Sequence, residues 1–172
     1  MNDALLGHAL VEEATKKSGL IWVRGTGSPA RALWHVWHEG AAHVVGDGPG
    51  EQPLPGLTDG GSADVTVRSK DKGGRLVTWT ATVHELAPRS EAWEAAVSEL
   101  KGKRLNAPDG EGVPERWARE CRVLRLEPVS SSTNHPEGSL SATPLPSPAI
   151  TRRPIPAALP RLLMRRGRKR AD

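Results

Sequence analysis

Three groups of side chains in this 172-residue chain have the types and spacing to do chemistry. The first is His35, His38 and His43. Two imidazoles three apart on a helix share a face and can share a metal ion; on a strand the same odd spacing sends them to opposite faces. No cysteine or carboxylate at a supporting spacing completes a metal set, so ordinary sheet histidines are the expectation. The second group is Arg68-Ser69-Lys70-Asp71-Lys72, with Arg75 across a turn. Guanidinium binds phosphate bidentately and lysine adds a point charge. Arg31, opening another strand, can join them, and a solvated hairpin tip is the competing reading. The third group is the six tryptophans, Trp22 to Trp117. Trp34 and Trp37 on one strand must face opposite sides. One then enters the core, and the other is exposed unless a partner or a flat aromatic ligand covers it.

Other chemistries find no support. Gly46-Asp47-Gly48-Pro49-Gly50 looks like a phosphate loop only superficially, because Pro53 and Pro55 follow it where a helix N-terminus is needed. No nucleophile elbow, Walker motif or Cys–His signature is present. Redox chemistry on a bound cofactor asks less of the protein, because the cofactor carries the reaction.

Composition narrows the class. Residues 129–172 hold seven of the 15 prolines, a serine cluster and no tryptophan. They carry eight Lys/Arg against two Asp/Glu, so the high pI belongs to them; residues 1–128 have 16 basic and 18 acidic residues. A near-neutral folded part argues against a nucleic-acid-binding core. The dense cationic run Arg165-Arg166-Gly167-Arg168-Lys169-Arg170 leaves nucleic acid or an acidic surface as a partner for the tail alone. No stretch is long and apolar enough for a membrane span, and no secretory signal is visible at Met1-Asn2-Asp3-Ala4. A single cysteine, Cys121, suits a reducing cytoplasm. Absent Phe and Tyr, with Arg outnumbering Lys, point to a GC-rich bacterial genome.

The elements that must position these groups follow from periodicity. A helix is expected over 3–18, with Leu6, Leu10 and Ala14 as its stripe and Gly7 weakening its middle. Strands follow at 20–23, 31–38, 41–45, 64–68 and 75–86. In the last, Val77, Trp79, Ala81 and Val83 share one face, and Thr78, Thr80, Thr82 and His84 the other. Ser90 caps a second helix with a Trp93, Ala96, Val97 and Leu100 stripe. Pro114 opens a third, short helix bearing Trp117, and 121–126 returns to strand. Domain 1–128 is therefore mostly β with flanking helices (α+β), and 129–172 reads as a disordered Ser/Pro-rich tail with a basic end.

On its strand order, residues 18–128 resemble the FMN-binding split-barrel superfamily of the pyridoxamine-phosphate-oxidase-like type. The matching text is the strand Pro29 to Trp37, then Gly40 to Gly46, the loop Glu51 to Leu57, the strand pair 64–70 and 76–86, and the helix from Ser90. The resemblance implies a six-stranded antiparallel split β-barrel. It implies a homodimer with an FMN or deazaflavin cleft at the dimer interface and a small-molecule substrate for hydride transfer. The matching cofactor-binding positions are Arg31, Val45, Gly46, Gln52, Arg68, Ser69 and Lys70; no catalytic acid or base is singled out. The sequence departs from the family at Glu51-Gln52, where a carboxylate would repel a phosphate. A dimer that has lost its cofactor, and is no enzyme, is thus the alternative.

Overall fold

A computed structural model describes residues 3–68, 76–104, 107 and 109–129, all within one compact unit of the chain. The elements run α1 (Asp3–Lys17), β1 (Leu20–Arg24), β2 (Arg31–Trp34), β3 (Val36–His38), β4 (Ala41–Gly46), β5 (Ser62–Arg68), β6 (Leu76–Glu85), α2 (Glu91–Lys103), α3 (Val113–Glu120) and β7 (Arg122–Pro128). A 3-10 turn, Gly110–Gly112, precedes α3.

The strands form one antiparallel sheet in the order β2-β1-β5-β6-β7-β4-β3. Its two outermost strands, β2 and β3, are consecutive in the chain with only His35 between them. The sheet therefore bends round on itself. Counting β2 and β3 as one interrupted strand gives the six-stranded split barrel expected from the sequence. The expected continuous strand 31–38 is corrected here: its halves pair with different neighbours, β2 with β1 and β3 with β4, and a single residue makes the switch.

Alternation places the core. The inward residues Ile21, Val23, Leu33, Ala42, Val44, Ala63, Val65, Val67, Val77, Trp79, Ala81, Val83, Leu124 and Leu126 fill the barrel, with Leu54 and Leu57 from the loop after β4. Trp79 is fully buried and meets Trp37 edge-on, with centroids 6.3 Å apart. The barrel is thus packed with side chains, as small barrels are, and a ligand of any size has to bind outside it. The threonine face of β6 is half-buried throughout, as the alternation requires.

A second cluster covers the outer face of β3, β4 and β7. Trp93, Ala96, Val97 and Leu100 of α2, with Val113 and Trp117 of α3, bury Val36, Val45 and Val123. Ser90 caps α2 by accepting the Trp93 N–H at 3.2 Å. Each large side chain buried here contributes about 1.5–3 kcal/mol. The β3–β4 hairpin turns through Glu39 and Gly40, both at positive φ, as a two-residue turn of matching twist demands.

The stripe expected for α1 is rotated. Leu6 is exposed and Leu10 half-buried, whereas Gly7, Val11, Ala14 and Thr15 face the barrel. Gly7 lies on this buried face.

Candidate functional site

The residues singled out by sequence fall in three places. Arg68 ends β5 on the outer face, exposed, with Asp64 and Thr66; Ser69 and Lys70 lie outside the described residues. Arg31 is also exposed, but it pairs with Val23, an inward residue. The register therefore sets Arg31 and Arg68 on opposite faces of the sheet, and one chain does not bring them together. Val45 is fully buried under the helices. Gly46 is buried too, and a Cβ there would lie 2.1 Å from the Gln52 carbonyl oxygen.

Gln52 has a structural task. Its Oε1 accepts the Trp34 N–H at 2.9 Å, and its Nε2 donates to the Trp34 carbonyl at 2.9 Å and to Val45 O at 3.1 Å. The side-chain amide stands in for a peptide of a neighbouring strand at the point where the barrel is split.

Glu51 corrects the sequence reading more sharply. Its side chain is fully buried and turned away from any surface phosphate. Arg116 Nη2 lies 3.1 Å from Oε1, and Trp117 Nε1 donates to the same oxygen at 3.0 Å. Arg104 Nε lies 3.4 and 3.3 Å from the two carboxylate oxygens. Two guanidiniums neutralise the carboxylate, so it repels no anion. Arg116 also grips Asp109 and the Pro49 carbonyl, and Arg104 reaches the Gly50 carbonyl. The Asp109 hydrogen bond and Glu51 raise the Arg116 pKa, and the same bond holds Asp109 below the usual carboxylate range. Arg122 ties the other end of the loop to Asp47, Glu85 and the Leu57 carbonyl. Three arginines therefore clamp the 47–52 loop. Sequence reasoning missed them because each lies more than fifty residues from its loop partner, beyond any local period.

Among the described residues no three His, Cys, Asp or Glu side chains are grouped so as to hold a metal ion. His35 is fully buried, with Nε2 2.9 Å from the Thr15 carbonyl and Nδ1 unpartnered. Burial lowers its pKa to about 4. Burial, then the charges of Arg125 and His38, lower that of His43 to about 4.

The tryptophans resolve differently from expectation. Trp34 and Trp37 do face opposite ways, yet both are half-buried against protein. Trp34 rests on Trp117 at 6.4 Å with Arg104 at 5.9 Å from its ring, while Trp37 packs on Trp79. The exposed one is Trp22, at 51 %. It sits outward on β1 between Ala32 and Thr66. Leu20, 52 % exposed, is paired with Trp34; extending the β1–β5 register by two residues sets Arg68 on its other side. The outer face of β2, β1 and β5 thus presents Trp22, Leu20 and Trp34 between the cations Arg68 and Arg104. The same face carries Thr66 and the Arg24–Asp64 ion pair, and Arg104 is already paired with Glu51, so Arg68 is its exposed edge cation.

No protein family matches the chain by sequence, and no curated protein does. Solved structures match by shape. A conserved hypothetical protein, Rv2991 from Mycobacterium tuberculosis, aligns over 88 % of this chain and 92 % of its own, with a TM-score of 0.53 and 11 % identity. An FAD and heme binding protein from Mycobacterium smegmatis aligns over 88 % and 93 %, at 0.49 and 14 %. HutZ, a heme storage protein from Vibrio cholerae, aligns over 74 % and 94 %, at 0.48 and 11 %. At such identities the likeness speaks of architecture alone. With the strand order and the interrupted closing strand, it shows that this chain shares the fold of Rv2991, an antiparallel barrel split at one strand.

Proposed function

We propose that the chain binds a flavin or deazaflavin on the outer face of β2, β1 and β5, as a homodimer, and uses it as an oxidoreductase in a reducing compartment. The single observation that carries this reading is the exposed Trp22, beside Leu20, on a sheet face that ends at the exposed guanidinium of Arg68. A flat ring stacks on such a surface, and a phosphate pairs with guanidinium. Arg68, with Ser69 and Lys70 beyond it, takes the phosphate; Arg31 enters that site only if a second copy supplies it. Bound there, the cofactor would supply hydride transfer to a small molecule. The chain's residues orient it and exclude water, and no side chain is assigned a proton. In the same proposal the domain ends at Pro128 and 129–172 is a tail.

A second reading, a dimer without cofactor, is favoured by Gln52 and Gly46. Both are committed to the fold: the Gln52 amide is saturated by backbone groups, and Gly46 is covered by the loop.

The test is an absorption spectrum of the purified full chain, then titration with FMN and with deazaflavin followed by gel filtration. A co-eluting chromophore, lost or weakened at least tenfold by Arg68→Ala, supports the first reading. A dimer that retains neither ligand supports the second.

A further inference from the structure

The interruption of the closing strand at His35 places one imidazole where three parts of the molecule meet. Its backbone joins β2 to β3. Its Nε2 faces the carbonyl of Thr15 in the last turn of α1, at 2.9 Å. The ring is wholly buried. A carbonyl oxygen only accepts, so Nε2 carries the hydrogen and donates it, and Nδ1 is left bare and unpartnered. The neutral tautomer is therefore the one that fits. A second proton would have to go on Nδ1, where no acceptor waits.

The charges around the ring make this worse. On the α1 side the contact is the Thr15 carbonyl, and Thr15 Oγ1 is itself buried without a partner. From α2 the charge acting on the ring is Lys103, of the same sign as the imidazolium. Among the described residues no carboxylate acts on the ring to offset a charge there. Burying a charge without a counter-ion is strongly unfavourable, and the ring's depressed pKa agrees with the geometry.

We infer that His35 is an acid-released latch: neutral, it holds the C-terminal turn of α1 onto the barrel seam, and protonated, it leaves the site and frees α1. The helix is suited to local release. Among its described side chains Gly7, Val11, Ala14 and Thr15 are buried and Leu10 packs beside them, whereas β5, β6 and β7 are held by ladders on both sides. Release uncovers the barrel interior at Val11 and Ala14, and it relaxes the switch between β2 and β3. The surface so exposed differs from the outer face of the proposed cofactor site, so this inference stands whether or not a cofactor binds.

The test is hydrogen exchange on the full-length protein, corrected for intrinsic rates, between pH 7 and pH 4. An imidazole that titrates near 4 when latched and near 6.5 when free gives α1 a loss of protection of about twentyfold from pH 7 to pH 5, with β5 and β6 still protected. His35→Gln keeps a donor for the Thr15 carbonyl and does not titrate, so its α1 should stay protected across the range. His43→Gln, which removes the other buried imidazole, should release α1 as wild type does. Ring chemical shifts of His35 in the unmodified protein supply a readout that needs no variant: their midpoint should coincide with the release of α1. The idea is overturned if α1 protection is independent of pH, if α1 and the strands open together, if His35→Gln releases α1 like wild type, or if the two midpoints differ.

Discussion

Gln52 illustrates how a single side chain can hold a barrel shut. Its amide makes three hydrogen bonds to backbone groups of β2 and β4, and no other side chain length or chemistry reproduces them. Gln52→Ala leaves those groups without partners and should cost about 2–3 kcal/mol in urea unfolding. Gln52→Glu, which replaces the donor by a second acceptor beside two carbonyls, should cost more. Glu51 tells the same story with charge. Glu51→Ala leaves buried Trp117 Nε1 without its acceptor and removes the carboxylate shared by Arg104 and Arg116, and should destabilise by about 3 kcal/mol, while Glu51→Gln, still able to accept from Trp117, should lose less. The sequence made both residues visible as a departure in a Gly/Pro-rich loop. It could not reveal what they touch. Their partners come from β2, the end of α2 and α3, and only the closed fold brings these near.

At the level of elements, what was legible was what repeats. The inward Val77, Trp79, Ala81 and Val83 and the buried stripe of α2 lie as period alone predicts. Two features did not repeat and were missed. His35 breaks a strand that alternation would carry through to His38, because pairing partners change there. α1 turns Gly7, Val11 and Thr15 toward the barrel, a face rotated from the stripe of Leu6 and Leu10. Clamping by Arg104, Arg116 and Arg122 makes the 47–52 segment a fixed loop. Arg116→Leu should therefore raise amide exchange at 47–52 well before it affects β5 and β6.

For the whole molecule, pH is the most revealing variable. His35 and His43 are neutral when buried and titrate near 4, against about 6.5 when exposed. Between those values the unfolded chain binds protons that the folded chain refuses. Stability should thus be full above pH 6.5, fall as pH drops through 6.5 to 4, and lose no more from these groups below that. Each contributes about 3 kcal/mol to the fall. Asp109, held down by Arg116, has the opposite reference: its contribution survives that window and disappears only at lower pH. Urea unfolding at half-unit steps of pH checks both. Trp22 addresses assembly. If its face is the dimer seam, Trp22→Ser should shift gel filtration to the monomer, with monomer unfolding changed by no more than about 0.5 kcal/mol. The position of β7 has a consequence for biosynthesis. Among the described residues the last strand to be made lies between β6 and β4, so a nascent chain that has reached only residue 121 has two bare strand edges and no way to close. Folding must wait for nearly all of the domain, and a prematurely terminated chain would display those edges to its neighbours, inviting strand-to-strand aggregation.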